Sequence, residues 1–135
     1  SQITVDSAGS AYITGSFYDA VNFNTRGTPE IVTSKKGVDS FTDQNDNGRD
    51  FSYDIFIEKL STNGRYLYVR TFGGQGDDFG LGEAIASNGD LLYTGRFRGT
   101  VDFDPSKTGV KHLLDSGFND GFLLELTEGG SLASA

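Results

Sequence analysis

The sequence predicts an all-β protein made of two consecutive, related units of four antiparallel strands. Three observations support this: a high content of glycine and aromatic residues, an internal repeat, and short apolar segments separated by turn residues. Glycine accounts for 19 of the 135 residues and aromatic residues for 13%. Such a composition is typical of short strands joined by tight turns.

The internal repeat consists of two matches without gaps. ITVDSAGSAYITGSFYDAVNF, beginning at Ile3, aligns with EAIASNGDLLYTGRFRGTVDF, beginning at Glu83, at a shift of 80 residues. YDIFIEKLSTNG, beginning at Tyr53, aligns with NDGFLLELTEGG, beginning at Asn119, at a shift of 66. Since 80 exceeds 66 by 14, the first unit carries an insertion of 14 residues between the two matches. The Asp/Asn-rich segment at about 38–51 is the candidate.

The repeat divides the chain into a first unit at 1–80 and a second unit at 81–135. The first unit continues into RYLYVRTFGG, which begins at Arg65, whereas the second continues as SLASA, which begins at Ser131. We therefore expect the last strand of the second unit to be incomplete. The sequence contains no Met, so we also expect the chain to be processed or excised from a longer protein.

Turn residues mark the strand boundaries in the first unit. A short strand, Ile3–Asp6, ends at a Ser-Ala-Gly-Ser turn, and a second strand is predicted at Ala11–Phe17. A third strand, Asp54–Leu60, is followed by Asn63-Gly64, a pair that favours a β-hairpin. The fourth strand, Tyr66–Phe72, ends at a Gly-Gly pair.

Both faces of the longer strands are apolar. In the third strand, Ile55 and Ile57 share one face, and Phe56 and Leu60 share the other. A sheet with one solvated face would alternate apolar and polar residues. Neighbouring blades cover both faces of a β-propeller blade, so the pattern predicts two four-stranded antiparallel propeller blades. Two blades cannot close a ring, so the others must come from the parent chain, from oligomerisation or from a partner.

Several motifs recur in the same order in both units. The runs ITVDSAGSAYITGSF and DIFIEKLSTNGRYLYVRTFGGQGDDFG, with the echo AIASNGDLLYTGRFRGTVDFDP, resemble the bacterial β-propeller repeat family known as SBBP. The resemblance covers most of the chain outside the insertion and the tail. It implies a propeller of several such blades in an exported or surface protein of bacteria. It implies no catalytic residues, because the family shares none.

The sharpest local motif is DQNDNG in the insertion. Asp43, Asn45 and Asn47 alternate and precede a glycine, as at the start of a calcium-binding loop. In such a loop the backbone carbonyl of Arg49 and the side chain of Asp54, at position twelve, would complete the ligand set. A calcium site at these residues is one interpretation. The other is a solvated Asn/Asp/Gly loop that binds no metal.

The remaining acidic pairs are interpreted as turn residues. Asp77 and Asp78 lie in the glycine-rich connector GGQGDDFG, where carboxylates commonly accept hydrogen bonds from turn amides. Asp102 and Asp104 correspond to asparagines in the first unit. A catalytic acid would not be expected to become asparagine in a related unit, so a turn role is predicted for this pair as well.

The sequence contains few of the residue types and combinations that catalysis commonly requires. His112 is the only histidine, cysteine is absent, and no Ser/His/Asp set is evident. The predicted inner strands contribute only Asp6 and Glu83, which do not align with each other.

Composition narrows the classes of partner. The formal net charge of −8 disfavours nucleic acid, and no apolar run is long enough to span a membrane. We therefore expect a noncatalytic propeller segment of a secreted or cell-surface bacterial protein, acting as a scaffold or binding a protein or glycan. Two alternatives stay open. One is a fragment of a propeller hydrolase or lyase completed by other blades, and the other is a subunit that oligomerises through its open blade edges.

Overall fold

The structure is a computed structural model that describes residues 1–35 and 52–135. The prediction of an all-β fold is confirmed, since the regular secondary structure of the described residues consists of β-strands. The strands are β1 (Gln2–Val5), β2 (Ala11–Phe17), β3 (Ala20–Asn22), β4 (Ile31–Thr33), β5 (Asp54–Leu60), β6 (Tyr66–Phe72), β7 (Phe79–Ile85), β8 (Leu91–Phe97), β9 (Thr100–Asp102), β10 (His112–Leu114), β11 (Asp120–Leu126) and β12 (Leu132–Ser134).

The two units form two four-stranded sheets of the same topology. The first sheet has the order β1-β2-β5-β6 and the second has the order β7-β8-β11-β12. Every pair of neighbouring strands is antiparallel. Between its second and third strands each unit adds a two-stranded hairpin, β3–β4 in the first unit and β9–β10 in the second. We call these the first and second hairpins.

Three of the predicted strands, β2, β5 and β6, have the predicted boundaries. The predicted hairpin at Asn63-Gly64 is also confirmed, because β5 pairs with β6 and Gly64 adopts a φ of 74°. The first strand ends at Val5, one residue earlier than predicted. Asp6 instead closes the turn, with its Oδ1 accepting the N–H groups of Ala8 and Ser10 at 2.9 Å each.

The two units differ in two places. After the first hairpin the connection to the third strand spans residues 34–53, whereas after the second hairpin it spans residues 115–119. The predicted insertion falls in the longer connection, and residues 36–51 lie outside the described residues. The fourth strands also differ, because β6 has seven residues and β12 has three.

Each sheet has a hairpin face, on which a phenylalanine of its own hairpin packs, and an opposite plain face. Phe23 packs on the hairpin face of the first sheet and Phe103 on that of the second. The plain face of the first sheet packs against the hairpin face of the second, and together they form the hydrophobic core. Each fully buried side chain of this size contributes about 1.5–3 kcal/mol. The plain face of the first sheet supplies Tyr12, Ile55, Ile57 and Phe72, and the second unit supplies Leu91, Tyr93, Phe97, Val101, Phe103, Phe122, Leu124 and Leu126.

The other two faces, the hairpin face of the first sheet and the plain face of the second, are uncovered in the described residues. On the plain faces, Ile57 is 0% exposed, while its second-unit counterpart Leu123 is 64% exposed. On the hairpin faces, Val5 is 58% exposed, while its counterpart Ile85 is partly buried against the core. Equivalent residues therefore differ in exposure according to whether a second sheet covers them.

Candidate functional site

The junction between the sheets is organised by the connector from β6 to β7, residues 73–78. Asp78 is fully buried there, and its Oδ2 accepts the N–H of Gly74 at 2.8 Å. Its Oδ1 accepts the N–H of Arg98, which directly follows β8, at 2.9 Å. Burial raises the pKa of Asp78 to about 7, and the nearby carboxylates of Asp54 and Asp77 raise it further against the effect of these hydrogen bonds. The side chain thus ties the connector to the second unit.

The glycines of the connector allow it to lie against the second hairpin. A Cβ atom on Gly74 would lie 2.5 Å from the carbonyl oxygen of Thr100, and one on Gly76 would lie 2.8 Å from that of Arg98. Carbon atoms do not approach backbone oxygens so closely, so this path requires glycine. These glycines therefore serve close packing between the two units.

Asp77 also accepts a backbone hydrogen bond. Its Oδ1 receives the N–H of Tyr53 at 3.1 Å, and the N–H of Asp78 donates to the Tyr53 carbonyl at 2.7 Å. The prediction that this acidic pair accepts hydrogen bonds from turn amides is confirmed for Asp78, through Gly74, whereas Asp77 accepts the amide of Tyr53, which is distant in sequence. The two carboxylates thereby fix the path of the connector through hydrogen bonds to backbone N–H groups.

Asp54 occupies an equivalent structural position to Asp120 in the second unit. Asp54 Oδ2 accepts the N–H of Lys35 at 2.9 Å, and Asp120 Oδ2 accepts the N–H of Ser116 at 2.9 Å. Lys35 and Ser116 each lie two residues beyond the last strand of their hairpin. Asp54 therefore has a role in closing the connection that does not depend on the insertion.

The calcium prediction concerns Asp54 together with Asp43, Asn45, Asn47 and Arg49. The last four lie outside the described residues, so the ligand set stays a prediction. Asp54 is 3% exposed, and burial raises its pKa to about 6, while the Lys35 N–H opposes the shift. Its Oδ1 has no hydrogen-bond partner within the described residues.

The Asn/Asp exchange between the hairpins preserves one hydrogen-bond pattern. Asn22 Oδ1 accepts the N–H of Asn24 at 3.1 Å and that of Glu30 at 3.0 Å. Asp102 Oδ1 accepts the N–H two residues later at 3.0 Å and that of Lys111 at 2.7 Å. The prediction of a shared turn role is therefore confirmed for Asn22 and Asp102. A neutral amide and a carboxylate serve equally because only an acceptor oxygen is required.

An open cleft of about 680 Å³ lies beside the connector, between it and the second hairpin. Lys35, Asp102 and His112 supply its charged and titratable side chains. His112 is exposed on β10. Burial acts to raise the pKa of Asp102, but the backbone hydrogen bonds it accepts outweigh this and lower it. The cleft thus presents the ionised carboxylate of Asp102 and the exposed side chain of His112 to solvent. Both can form hydrogen bonds with a polar ligand.

A pair of polar side chains whose oxygens are shielded from solvent lies between the sheets. Glu83 on β7 is directly opposite Tyr93 on β8, and neither carboxylate oxygen nor the Tyr93 hydroxyl completes a hydrogen bond within the described residues. Burial raises the pKa of Glu83 to about 7, with the backbone of Thr4 opposing the shift, and burial also raises the pKa of Tyr93. Both oxygens of Glu83 are shielded from solvent. This position disfavours contact between Glu83 and a substrate.

From the sequence, Glu83 is predicted only as an acid on an inner strand, and its pairing with Tyr93 is not predicted. A signal for it was present in the repeat. In the first sheet the corresponding ladder partners are Ile3 and Ile13, so two apolar residues are replaced by two polar ones at paired positions. A coupled replacement of this kind indicates direct contact across two strands.

No group of three or more histidine, cysteine or acidic side chains in the described residues is arranged to hold a metal ion. The described residues also include no helix of the length and apolar character needed to cross a bilayer. No family model, curated protein or solved structure matches the chain. The resemblance to the SBBP repeats therefore stays a prediction based on the quoted motifs.

Proposed function

We propose that the chain is a noncatalytic scaffold segment of an exported bacterial protein, built from two blades of a β-propeller whose open faces are covered by further blades. The observation that carries this proposal is the pairing of unlike faces. The plain face of one unit packs on the hairpin face of the next, and the part of the chain that the structure describes leaves one face of each kind open. A heterologous contact of this type can repeat until the units form a ring.

The roles of the carboxylates support a noncatalytic scaffold. Asp54, Asp77, Asp78 and Asp102 all accept backbone N–H groups that fix turns or connections. The acidic composition is compatible with an exported protein that remains soluble. The hairpins and the cleft beside the connector are the surfaces proposed to meet a protein or glycan.

A chain with a third unit tests the proposal. Joining residues 1–130 directly to residues 65–135 preserves the repeat, because residue 130 corresponds to residue 64 at the shift of 66. The open plain face of the second sheet would then meet a third hairpin face. We expect one cooperative unfolding transition, and we expect Leu123→Asp to destabilise the longer chain strongly while leaving the present chain nearly unchanged. Chemical unfolding measures both effects.

Leu114→Asp is the matched control. Leu114 is 71% exposed on the second hairpin, and its counterpart Thr33 on the first hairpin is exposed as well. The substitution should therefore be neutral in both chains. If Leu123→Asp is as mild as Leu114→Asp in the longer chain, the third unit does not cover the plain face and the proposal fails.

Self-association is the second candidate function, and it is favoured by the same two open faces. A second copy of the chain could apply its hairpin face to the plain face of the first. Sedimentation velocity over a concentration series distinguishes the two candidates. Association that Leu123→Asp abolishes supports a self-assembling subunit, whereas a monomer at all concentrations supports blades contributed by the parent chain.

Calcium binding by the insertion is a separate part of the proposal. Calorimetric titration of the chain with calcium, in parallel with an Asp43→Ala, Asn45→Ala, Asn47→Ala variant, tests it. We expect saturable binding that the variant loses. Absence of binding to the parent chain would remove calcium from the proposed function and leave the scaffold role intact.

A further inference from the structure

Each hairpin face carries a cluster of three phenylalanine rings. In each cluster one ring comes from the second strand, one from the third strand and one from the hairpin. The first ring cluster is Phe17, Phe23 and Phe56, and the second ring cluster is Phe97, Phe103 and Phe122. The rings of the first cluster are in edge or tilted contact with centroids 5.1–6.4 Å apart, and those of the second are similarly arranged around Phe103.

Among the described residues, a fourth ring completes the second cluster but not the first. Phe72, at the end of β6 in the first unit, stacks on Phe103 with centroids 5.8 Å apart and an interplanar angle of 21°. Phe103 and Phe72 are then 0% and 1% exposed. In the first cluster Phe23 and Phe56 are only partly buried, and an open concavity of about 320 Å³ borders Phe23.

The connector that follows the fourth ring also contacts the second hairpin closely. Directly after Phe72, the connector crosses the first strand of the second hairpin, where Gly74 fits against the backbone of Thr100. The residue equivalent to Thr100 on the first hairpin is Ala20. The next residue, Val21, is only partly buried, whereas its counterpart Val101, which also lies against Gly74, is 0% exposed. The first unit therefore presents rings and a hairpin strand equivalent to those of the second, but no strand or connector from residues 1–35 and 52–135 lies on them.

We propose that the first ring cluster is a docking site for an aromatic side chain at the end of the outer strand of another unit of this kind, followed by a glycine pair. This inference rests on the proposed function and adds the chemistry of the partner. The ring stacks on Phe23 as Phe72 stacks on Phe103, and the glycines pass over Ala20. The sequence pattern that identifies the partner is that of residues 70–74, Arg-Thr-Phe-Gly-Gly.

An extended chain tests the docking site directly. Residues 53–80 are duplicated immediately ahead of Ser1, because the shift of 80 makes residue 80 the equivalent of the position before Ser1. The added copy supplies a strand pair, a phenylalanine and the connector. We expect nuclear Overhauser contacts between the added phenylalanine and Phe23, and a rise in Tm of several degrees over the present chain.

Two substitutions in the added copy separate the ring from the rest of the strand. Phe72→Ala within the copy should abolish most of the rise in Tm. Leu67→Ala within the copy is the matched control, because Leu67 is 51% exposed in the first unit and should contribute little.

The outcomes distinguish this inference from the proposed function. If the added strands pack on the first sheet but Phe72→Ala in the copy keeps the full rise in Tm, the ring site is overturned and blade stacking stands. If the added strands do not pack at all, the docking site is overturned. The proposed function is then judged by the third unit added at the other end.

Discussion

The two units share one topology but differ in what covers them. The second sheet has its hairpin face buried and its plain face open, and the first sheet has the reverse. At equivalent positions the residue type is often retained while the exposure changes, as for Phe23 and Phe103. The comparison shows that the exposure of an apolar residue depends on whether another sheet covers its face, because each sheet buries only one of its two apolar faces among the described residues.

The largest expected loss from a single substitution is at a hairpin phenylalanine. Phe103→Ala should cost about 3–5 kcal/mol of unfolding free energy, as for other buried aromatic residues. Phe23→Ala should cost about 1–2 kcal/mol, because a partly exposed ring removes less apolar area from water. Urea unfolding of both variants measures the contrast. Equal losses would indicate that the first hairpin face is already covered in solution.

The plain faces provide a second contrast. Ile57→Ala should cost about 2–5 kcal/mol, since it leaves a cavity between the sheets. Leu123→Ala should change stability by no more than about 0.5 kcal/mol, because the side chain is mostly exposed. The same unfolding measurement applies. A large loss at Leu123 would contradict the assignment of an open plain face.

The junction that creates this asymmetry should respond to pH. The folded-state pKa of Asp78 is raised to about 7 from an ordinary value of 3.8, so folding favours the protonated carboxyl. The stability it contributes is fully present below about pH 4 and is lost as pH rises to about 7. Urea midpoints between pH 4 and 8 should fall with rising pH, and Asp78→Asn should flatten part of this slope. An unchanged slope in the variant would exclude Asp78 as its source.

Asp54 and Glu83 have raised pKa values as well, so the Asp78→Asn variant should retain a residual slope. The variant should also lose stability by about 1–3 kcal/mol at low pH, because the amide nitrogen that replaces one carboxyl oxygen cannot accept the backbone N–H that this oxygen accepted. Asp120→Asn is a suitable control, since Asp120 makes comparable backbone contacts away from the junction.

A small effect is expected at the ion pair between the sheets. Lys59 Nζ lies 3.1 Å from Glu128 Oε1, and the Glu128 side chain is 68% exposed. Glu128→Gln should therefore cost no more than about 1 kcal/mol, and less at high salt. The counterpart of Glu128 in the first unit is Thr62, so the pair belongs to this junction alone. A large, salt-independent loss would mean that the pair fixes the packing of the sheets.

Much of the fold could be predicted from the sequence because apolar residues reveal both the internal repeat and the two faces of each strand. The boundaries of β2, β5 and β6 followed from such residues and from turn glycines. The two hairpins were not anticipated, because β3, β4, β9 and β10 have only three residues each and too little alternation to indicate strands.

The candidate site was less predictable because it depends on contacts between units. The turn roles of Asp77 and Asp78 followed from the glycine-rich connector, but the burial of Asp78 against Arg98 requires the second sheet to be in place. The shielding of the Glu83 carboxylate oxygens also occurs between the two sheets. Strand patterns define the faces of a sheet, whereas the partner of each face is decided by long-range packing.

The equivalent aspartates that begin the third strand of each unit affect how this protein can acquire new surfaces. Asp54 and Asp120 anchor connections of 20 and five residues, 34–53 and 115–119, by the same hydrogen bond. The entropic cost of closing a connection four times longer is only about 1.2 kcal/mol. Because this hydrogen bond holds both ends of the connection, loops of different length can be exchanged between the hairpin and the third strand of each unit while both sheets keep their register.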